Sequence, residues 1–233
     1  MSQGGGPILA PSLRPLSFRR QLRWVLEEWR SRRCVFGVPE ALFFRPGPQD
    51  RFRSRLFGAD LQAPLGPAAG PHTQTAPGIL AAWLSGARFL ELKTVQILDE
   101  LEIPRPCIDA EDEGYNVEWS QELRLEESAA EYVRAWVWVH LLPHLLGFPD
   151  RTPGTVFNMS VGYNLEGIRH PRMQAFLARL EDASEEIEVC REELRRQIPG
   201  LADLPIPSRV AGSCTLSTMH GCPPEEIERI AGY

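Results

Sequence analysis

The sequence predicts an α/β fold that corresponds to the first half of a (β/α)8 TIM-type barrel, preceded by an N-terminal helical extension. Segments with strand and helix character alternate along the chain, which is typical of parallel βαβ units. Three of the four predicted strands carry polar residues on one face, whereas strands covered by helices on both faces are usually apolar throughout. A polar face fits a barrel interior better, and barrel sites lie at the C-terminal ends of the strands. Because four βα units are half of such a barrel, we expect a longer parent chain.

The composition is that of a globular protein, and the net charge and apolar pattern argue against nucleic acid or a membrane as its partner. The chain has 233 residues, 24% of them charged, and a net charge of -6, which argues against a nucleic-acid-binding surface. No apolar run is long enough to span a bilayer, and the N-terminus lacks the pattern of a signal peptide. The five cysteines are odd in number and scattered, so we expect reduced thiols and a cytoplasmic location. They are Cys34, Cys107, Cys190, Cys214 and Cys222.

Residues 1–60 are predicted to form the extension, and residues 61–233 the barrel units. The first residues, up to about 16, are rich in Gly and Pro and predict a flexible lead-in. Ser17 is a suitable N-cap for a first helix, whose apolar residues recur at helical spacing. A basic connector follows, up to Asp60. Its arginines predict a solvated surface or, less commonly, a partner contact; they are Arg45, Arg51, Arg53 and Arg55.

The first barrel units contain the residues that suggest a site. Residues 63–72 are mostly small residues and prolines, which predicts a turn-rich loop or a short strand ending at a ligand plane. A helix is expected over 77–86, followed by a strand over 89–95. One face of that strand carries Glu91 and Lys93. This face is either a solvated edge or it directs Lys93 into a pocket, since buried charge is expensive unless paired.

Two more strands separated by helices are predicted in the rest of the chain. Residues 96–125 form a long connection, and its acidic run 109–113 is either solvated or, less commonly, a site for a hard cation. The later elements are a helix over 126–146, a strand over 155–161, one helix over 171–197, a strand over 214–219 and a helix from Pro223. The two strands carry Asn158 with Ser160, and Thr215 with Ser217, on their polar faces.

Five sequence blocks resemble a known family. They are residues 66–74, 91–99, 107–113, 157–168 and 216–224. In order and content they look like the N-terminal domain of the "putative selenate reductase subunit" family (YgfK type), a dihydroorotate dehydrogenase-like flavin barrel. The resemblance covers roughly residues 17–230, which is nearly the whole chain.

This resemblance implies a multidomain oxidoreductase that relays electrons from NAD(P)H through flavin and iron–sulfur centres to an acceptor. FAD, NAD(P)H and 4Fe-4S sites would belong to a missing C-terminal part, because no Gly-x-Gly-x-x-Gly or Cys-x-x-Cys motif is present here. The implied partners are the other domains of the full-length chain and redox partner subunits. The fragment alone is expected to be inactive.

The resemblance also implies roles for individual residues. Ala68, Ala69 and Gly70 would lie against the ring of an FMN-like flavin. Lys93 and Thr94 would contact the ring, where an ammonium stabilises an anionic reduced flavin. Asn158 would bond to the flavin edge.

Two further roles concern a substrate. Asn116 would hold a planar substrate. Cys222, in the pair Cys222-Pro223, corresponds to the region where dihydropyrimidine dehydrogenase places its proton-transferring cysteine, so it is the candidate catalytic residue. The preceding residues 218–221 depart from that enzyme's pattern.

Other functions remain open from the sequence. The barrel could be a catalytically silent docking module, with residues 45–55 and 109–113 as contact surfaces and Lys93 paired with Glu91. It could also be a ring reductase like dihydropyrimidine dehydrogenase. No metal site is predicted, because the spacing of Cys214, His220 and Cys222 matches no common zinc motif.

We expect the 233-residue chain alone to bind FMN weakly or not at all. The phosphate end of such a cofactor normally binds near strands seven and eight of a barrel, which the four predicted units do not include. Visible absorption of the purified chain after incubation with FMN and gel filtration tests this expectation. A tight, stoichiometric yellow complex would contradict it.

Overall fold

The computed structural model describes residues 13–47, 49–98, 121–218 and 224–233. In these ranges no helix is both long and apolar enough to cross a membrane. The elements in chain order are α1 (Phe18–Arg32), β1 (Cys34–Val35), β2 (Val38–Pro39), β3 (Ser54–Leu56), β4 (Ala59–Leu61), α2 (Ala76–Leu84), β5 (Phe89–Glu91), α3 (Leu125–Leu145), β6 (Val156–Tyr163), α4 (Leu165–Arg169), α5 (Pro171–Glu181), α6 (Ser184–Gln197), β7 (Ser213–Thr218) and α7 (Pro224–Ala231).

A three-stranded parallel sheet, in the order β5-β6-β7, lies at the centre. Glu91 on β5 lies opposite Asn158 on β6, and Ser160 on β6 lies opposite Thr215 on β7. Helices pack on the apolar face of this sheet and share one hydrophobic core with it. The fold is therefore mixed α/β with parallel strands, as predicted, although the described residues do not close a barrel.

The segment before α2 runs along β5 without becoming a strand. Phe89 N donates to Leu65 O at 3.0 Å, and Glu91 N donates to Pro67 O at 3.3 Å. Proline has no N–H to return a bond, so this pairing runs in one direction only. The backbones approach so closely at Gly66 that a Cβ there would lie 1.3 Å from Phe89 O. The small residues thus serve the close approach that the sequence suggested.

Two short hairpins form between α1 and α2, where the sequence predicts a connector. β1 pairs with β2, and β3 pairs with β4, both antiparallel. Their turns are Phe36-Gly37 and Phe57-Gly58, with φ of 48° and 80° in the first and 49° and 78° in the second. Positive φ at both central residues defines a type I′ turn, which usually carries Asn-Gly or Asp-Gly. Because both turns carry phenylalanine in the first position, the sequence lacks the Asn-Gly or Asp-Gly pair that would have predicted these hairpins.

Helix α1 begins where the sequence predicts and belongs to the main core. The Ser17 side chain accepts from Arg20 N at the start of the helix. Phe18 packs against Trp138 of α3 with ring centroids 5.6 Å apart, and Trp138 Nε1 donates to Gln21 Oε1 at 2.9 Å. The extension is therefore attached to α3 by both apolar and polar contacts.

The single helix predicted over 171–197 is wrong; the structure has α5 and α6 instead. Asp182 ends α5 in an extended conformation, with φ of -141° and ψ of 97°. Its carboxylate accepts from Ser184 N at 3.2 Å, and Ala183 N donates to Ser208 O at 2.9 Å. A short polar side chain that bonds to the backbone competes with helical hydrogen bonds, so Asp182 interrupts an otherwise continuous apolar stripe.

Hairpin β3–β4 lies at the N-terminal ends of the parallel strands. Gln62, just after β4, donates from its backbone N to Gly154 O at 2.9 Å, and Gly154 precedes β6. The buried Arg88, just before β5, donates from Nε to Gln62 Oε1 at 2.7 Å. The Phe57 ring lies 6.1 Å from that of Phe89. The hairpin covers this end of the sheet and leaves the C-terminal ends for a site.

Asp150 ties the same hairpin to the loop before β6. Its carboxylate accepts from Arg53 Nη2 at 2.5 Å and from the backbone N and Oγ1 of Thr152 at 3.0 and 2.7 Å. Burial alone raises the pKa of Asp150, but the hydrogen bonds from Arg53 and Thr152 outweigh burial and hold that pKa well below its usual range.

We expect Asp150→Asn to be less stable than wild type at neutral pH, with a difference that shrinks as the pH falls below about 4. A carboxyl whose pKa is lowered in the folded state stabilises above its unfolded pKa, and this stabilisation is lost as the folded carboxyl takes up a proton. Urea midpoints between pH 7 and pH 3 measure the effect. Asp60→Asn, at a carboxylate that is 88% exposed, is the control and should change nothing. Parallel pH profiles for wild type and Asp150→Asn would contradict the assignment.

Candidate functional site

The polar side chains of the three parallel strands form one hydrogen-bonded network on the sheet face away from the helices, here called the inner face. Thr215 Oγ1 donates to Glu91 Oε1 at 3.0 Å. Asn158 Nδ2 donates to Thr215 Oγ1 at 2.7 Å, and Ser213 Oγ donates to Asn158 Oδ1 at 2.6 Å. The predicted polar face therefore exists, and its side chains join β5, β6 and β7.

Glu91 also fixes the loop of small residues. Its Oε2 accepts from Ala69 N at 3.0 Å, so both carboxylate oxygens of Glu91 have a donor. Gly70 N in turn donates to Thr73 Oγ1 at 3.1 Å. Ala68 is exposed, Ala69 is half-buried and Gly70 is buried. The loop is thus held rigidly while it presents small side chains at the edge of the inner face.

Lys93 lies beyond the end of β5, which is shorter than the predicted strand. Leu92 N still donates to Asn158 O of β6 at 2.9 Å, whereas Lys93 N points to the other side and donates to Thr73 O at 3.3 Å. Lys93 O accepts from Tyr132 Oη at 3.0 Å, and burial raises the pKa of Tyr132, which keeps that hydroxyl protonated. Parallel pairing resumes at Val95, which bridges to Val161. The backbone of Lys93 is therefore fixed on both sides, at the C-terminal end of β5.

Lys93 is also unusual in composition. The chain has 25 lysines and arginines, and Lys93 is the only lysine among them. Its side chain is only 2% exposed. Lysine is a compact cation whose pKa responds to burial, whereas arginine stays charged. The sequence already shows that Lys93 is the only lysine, but the alternation of residues in the predicted strand does not point to this feature.

Thr94 and Gly162 bring β5, β6 and β7 close together next to Lys93. Thr94 Oγ1 and Ser160 Oγ are hydrogen-bonded at 2.8 Å. A Cβ on Gly162 would lie 2.6 Å from Ser217 O and 3.3 Å from Thr94 Cγ2. Gly162 leaves just enough space for the neighbouring backbone, so it fixes the spacing of the strands at this level.

Comparison with known proteins identifies the family. The family described as "Oxidoreductase YgfK, N-terminal TIM-barrel domain" matches residues 36–233. The chain belongs to the YgfK oxidoreductase family. It is 44% identical over 240 residues to "Putative oxidoreductase YgfK" of Escherichia coli strain K12 and to its counterpart in Escherichia coli O157:H7. The alignment covers 95% of this chain and 23% of those relatives, so the chain spans about a quarter of their length. The YgfK-type resemblance found in the five sequence blocks is confirmed.

Part of the predicted site lies outside the described residues. These positions are Asn116, Cys222, His220 and the acidic run 109–113. Glu91 links Ala69, next to Ala68 and Gly70, to Asn158 through Thr215. Thr94 bonds to Ser160 on the same face, and Lys93 is its neighbour in the chain. Within the described ranges no group of three or more His, Cys, Asp or Glu side chains is arranged to hold a metal ion.

We expect Gly162→Ala to destabilise the chain by about 1–3 kcal/mol, the usual range for overpacking. The added methyl would press on Ser217 O and Thr94 Cγ2. Gly212→Ala is the matched control, because a Cβ there meets no atom within 4 Å. Urea midpoints compare the two variants. Equal midpoints would show that Gly162 does not set the strand spacing.

Proposed function

We propose that this chain forms the first half of a flavin-binding (β/α)8 barrel in a multidomain NAD(P)H-dependent flavo-iron–sulfur oxidoreductase that passes electrons to an acceptor. The observation that carries the proposal is the only lysine of the chain, Lys93, which is buried and fixed at the C-terminal end of β5 beside a polar inner face. Membership of an oxidoreductase TIM-barrel family supports the reaction class.

The half-barrel is supported by the two edges of the sheet. On one edge, the extended segment at Leu65–Pro67 runs alongside β5, and Leu65 is 65% exposed. On the other edge, β7 carries Leu216, which is 38% exposed. In the proposed barrel, further strands pair with these edges and cover the apolar side chains. Hairpin β3–β4 then closes the N-terminal end, so a ligand enters from the C-terminal ends of the strands.

The residues of the inner face and its edge fit a flat ring system that accepts electrons. Ala68, Ala69 and Gly70 offer a surface without bulk, and Glu91 holds their backbone in place. Asn158 has one amide hydrogen beyond the one donated to Thr215, so it can donate once more. These residues can position one face and one edge of a flavin, and a bound flavin would supply the redox chemistry.

The proposed role of Lys93 is electrostatic. An ammonium held in a site with little water acts through a low local dielectric, where its field is stronger than at a surface. Its fixed backbone limits the positions that the ammonium can take. It can therefore stabilise negative charge that develops on a neighbouring ring during reduction.

The test is Lys93→Met in the protein expressed from its complete gene. We expect reduction of the FMN-like flavin by NAD(P)H to slow about 100-fold, the effect typical of losing one electrostatic donor. Methionine keeps the apolar stem, so folding should be largely retained. Acid release followed by separation of FMN from FAD gives the flavin content, and stopped-flow absorbance gives the rate. Arg209→Met, at an exposed position, is the control and should leave both unchanged.

A second candidate function is a structural or docking barrel without flavin, and the inner-face network favours it. Glu91, Thr215, Asn158 and Ser213 already satisfy one another, so this part of the face needs no ligand to be stable. If the complete protein contains FAD but no FMN, and Lys93→Met reduces at the wild-type rate, the docking function replaces the flavin barrel.

A cytoplasmic location is part of the proposal. Cys34, Cys190 and Cys214 are free thiols in the structure. Burial raises the pKa of Cys190 to about 12, so this thiol is unreactive at neutral pH. Unpaired cysteines of this kind are typical of a reducing compartment.

A further inference from the structure

Helix α1 carries a basic face that neither the core nor the family description explains. The helix has five arginines and two glutamates, in a chain whose net charge is -6. Its apolar stripe, with Phe18, Leu22 and Val25, is buried in the core. The opposite side is exposed, and α1 precedes the residues that the YgfK family description matches. The exposed face carries Arg19, Arg20, Arg23, Trp24 and Arg30, together with Glu27, Ser31 and Arg32.

The arginines of this face are not used to stabilise the described structure. Among the described residues, none of Arg19, Arg20, Arg23 and Arg30 forms an ion pair or a side-chain hydrogen bond. The two glutamates of α1 do not neutralise them. Glu28 is buried and accepts from Arg32 Nη2 and Gly37 N. Glu27 lies among the four exposed arginines, and Arg19 lines a cavity with Glu186 and Glu193 of α6 without pairing to either.

The same arrangement works against the stability of the helix. The first turn of α1 contains no acidic residue, and it contains Arg19 and Arg20 instead. Cations near a helix N-terminus are unfavourable, because the helix dipole places positive charge there. Arg19 and Arg23 are four residues apart, a spacing at which like charges repel. A face that served only solubility would not need its arginines at the positions where they destabilise the helix.

We propose that the exposed face of α1 is a docking surface for a carboxylate-rich segment of a partner protein. Guanidinium groups bind carboxylates through two parallel hydrogen bonds. Trp24 is 38% exposed and packs edge-on against Phe36 with ring centroids 5.0 Å apart, so it adds a rigid aromatic contact. Arginine and tryptophan are the residue types that dominate protein interfaces energetically.

Charge and burial favour a protein segment over other anions. Insertion into a lipid surface requires an apolar helix face, and that of α1 is already buried in the core. An extended polyanion such as nucleic acid would face the excess negative charge of the rest of the chain. A short acidic segment meets only the basic face, and this complementarity determines the proposed partner class.

The test compares two double charge reversals with the same change in net charge. Arg19→Glu/Arg23→Glu alters the docking face, and Arg55→Glu/Arg209→Glu alters exposed arginines elsewhere. Fluorescence anisotropy measures binding of a short labelled poly-glutamate peptide at low salt and at about 0.15 M salt. Phosphatidylserine vesicles and duplex DNA are measured in parallel. Thermal unfolding of both variants shows that they fold.

We expect wild type and the control to bind the peptide with similar, salt-sensitive affinity, and Arg19→Glu/Arg23→Glu to bind it about tenfold more weakly. That variant should remain folded, because a glutamate in the first turn favours the helix, although repulsion from Glu186 and Glu193 offsets part of this gain. Equal peptide binding by the two variants would overturn the proposal. So would tighter binding of vesicles or DNA that depends on Arg19 and Arg23, since the partner would then be a phosphate polyanion.

Discussion

The carboxylate of Glu91 is the constraint on which the inner face depends. It is a pure acceptor, so the groups on either side of it must donate. Ala69 N donates to one oxygen, and the Thr215 hydroxyl gives its single hydrogen to the other. The Thr215 oxygen can then only accept, so Asn158 turns its amide nitrogen towards it and its carbonyl oxygen towards Ser213. One charge thereby sets the orientation of three neutral side chains on two other strands and holds the adjacent loop.

Helix α3 provides the complementary support from the opposite side of the sheet. Its consecutive residues Glu131 and Tyr132 are both buried. Burial raises the pKa of Glu131, while its Oε2 accepts from Ala76 N at 2.7 Å and thus caps α2. Tyr132 Oη donates to Lys93 O at 3.0 Å. A single turn of α3 therefore fixes the start of the helix before β5 and the backbone of Lys93, two residues after β5, so the backbone position of Lys93 follows from the core.

Local patterns predicted much of this architecture, and interactions between distant residues account for what they missed. Ser17 as N-cap, the parallel strand order and the polar inner face follow from propensity and alternation. The break at Asp182 does not, because its side chain competes with the helix only once Ser208 is in place to accept from Ala183 N. The partner of Glu91 lies 124 positions away, and no periodicity within β5 specifies the register that brings Thr215 to it.

The network also limits how the inner face can bind a ligand. The carbonyl oxygen of Asn158 accepts from Ser213, and one of its amide hydrogens is donated to Thr215. Without breaking the network, this residue can offer a ring only its second amide hydrogen and one remaining lone pair. Breaking the network to gain a further bond would leave Thr215 or Ser213 without its Asn158 partner, which costs more than one new bond returns. In the proposed flavin site, contacts would therefore come chiefly from the Ala68–Gly70 loop, Lys93 and Thr94. The network stiffens the sheet behind them, and the choice between a flavin site and a docking barrel depends on Lys93.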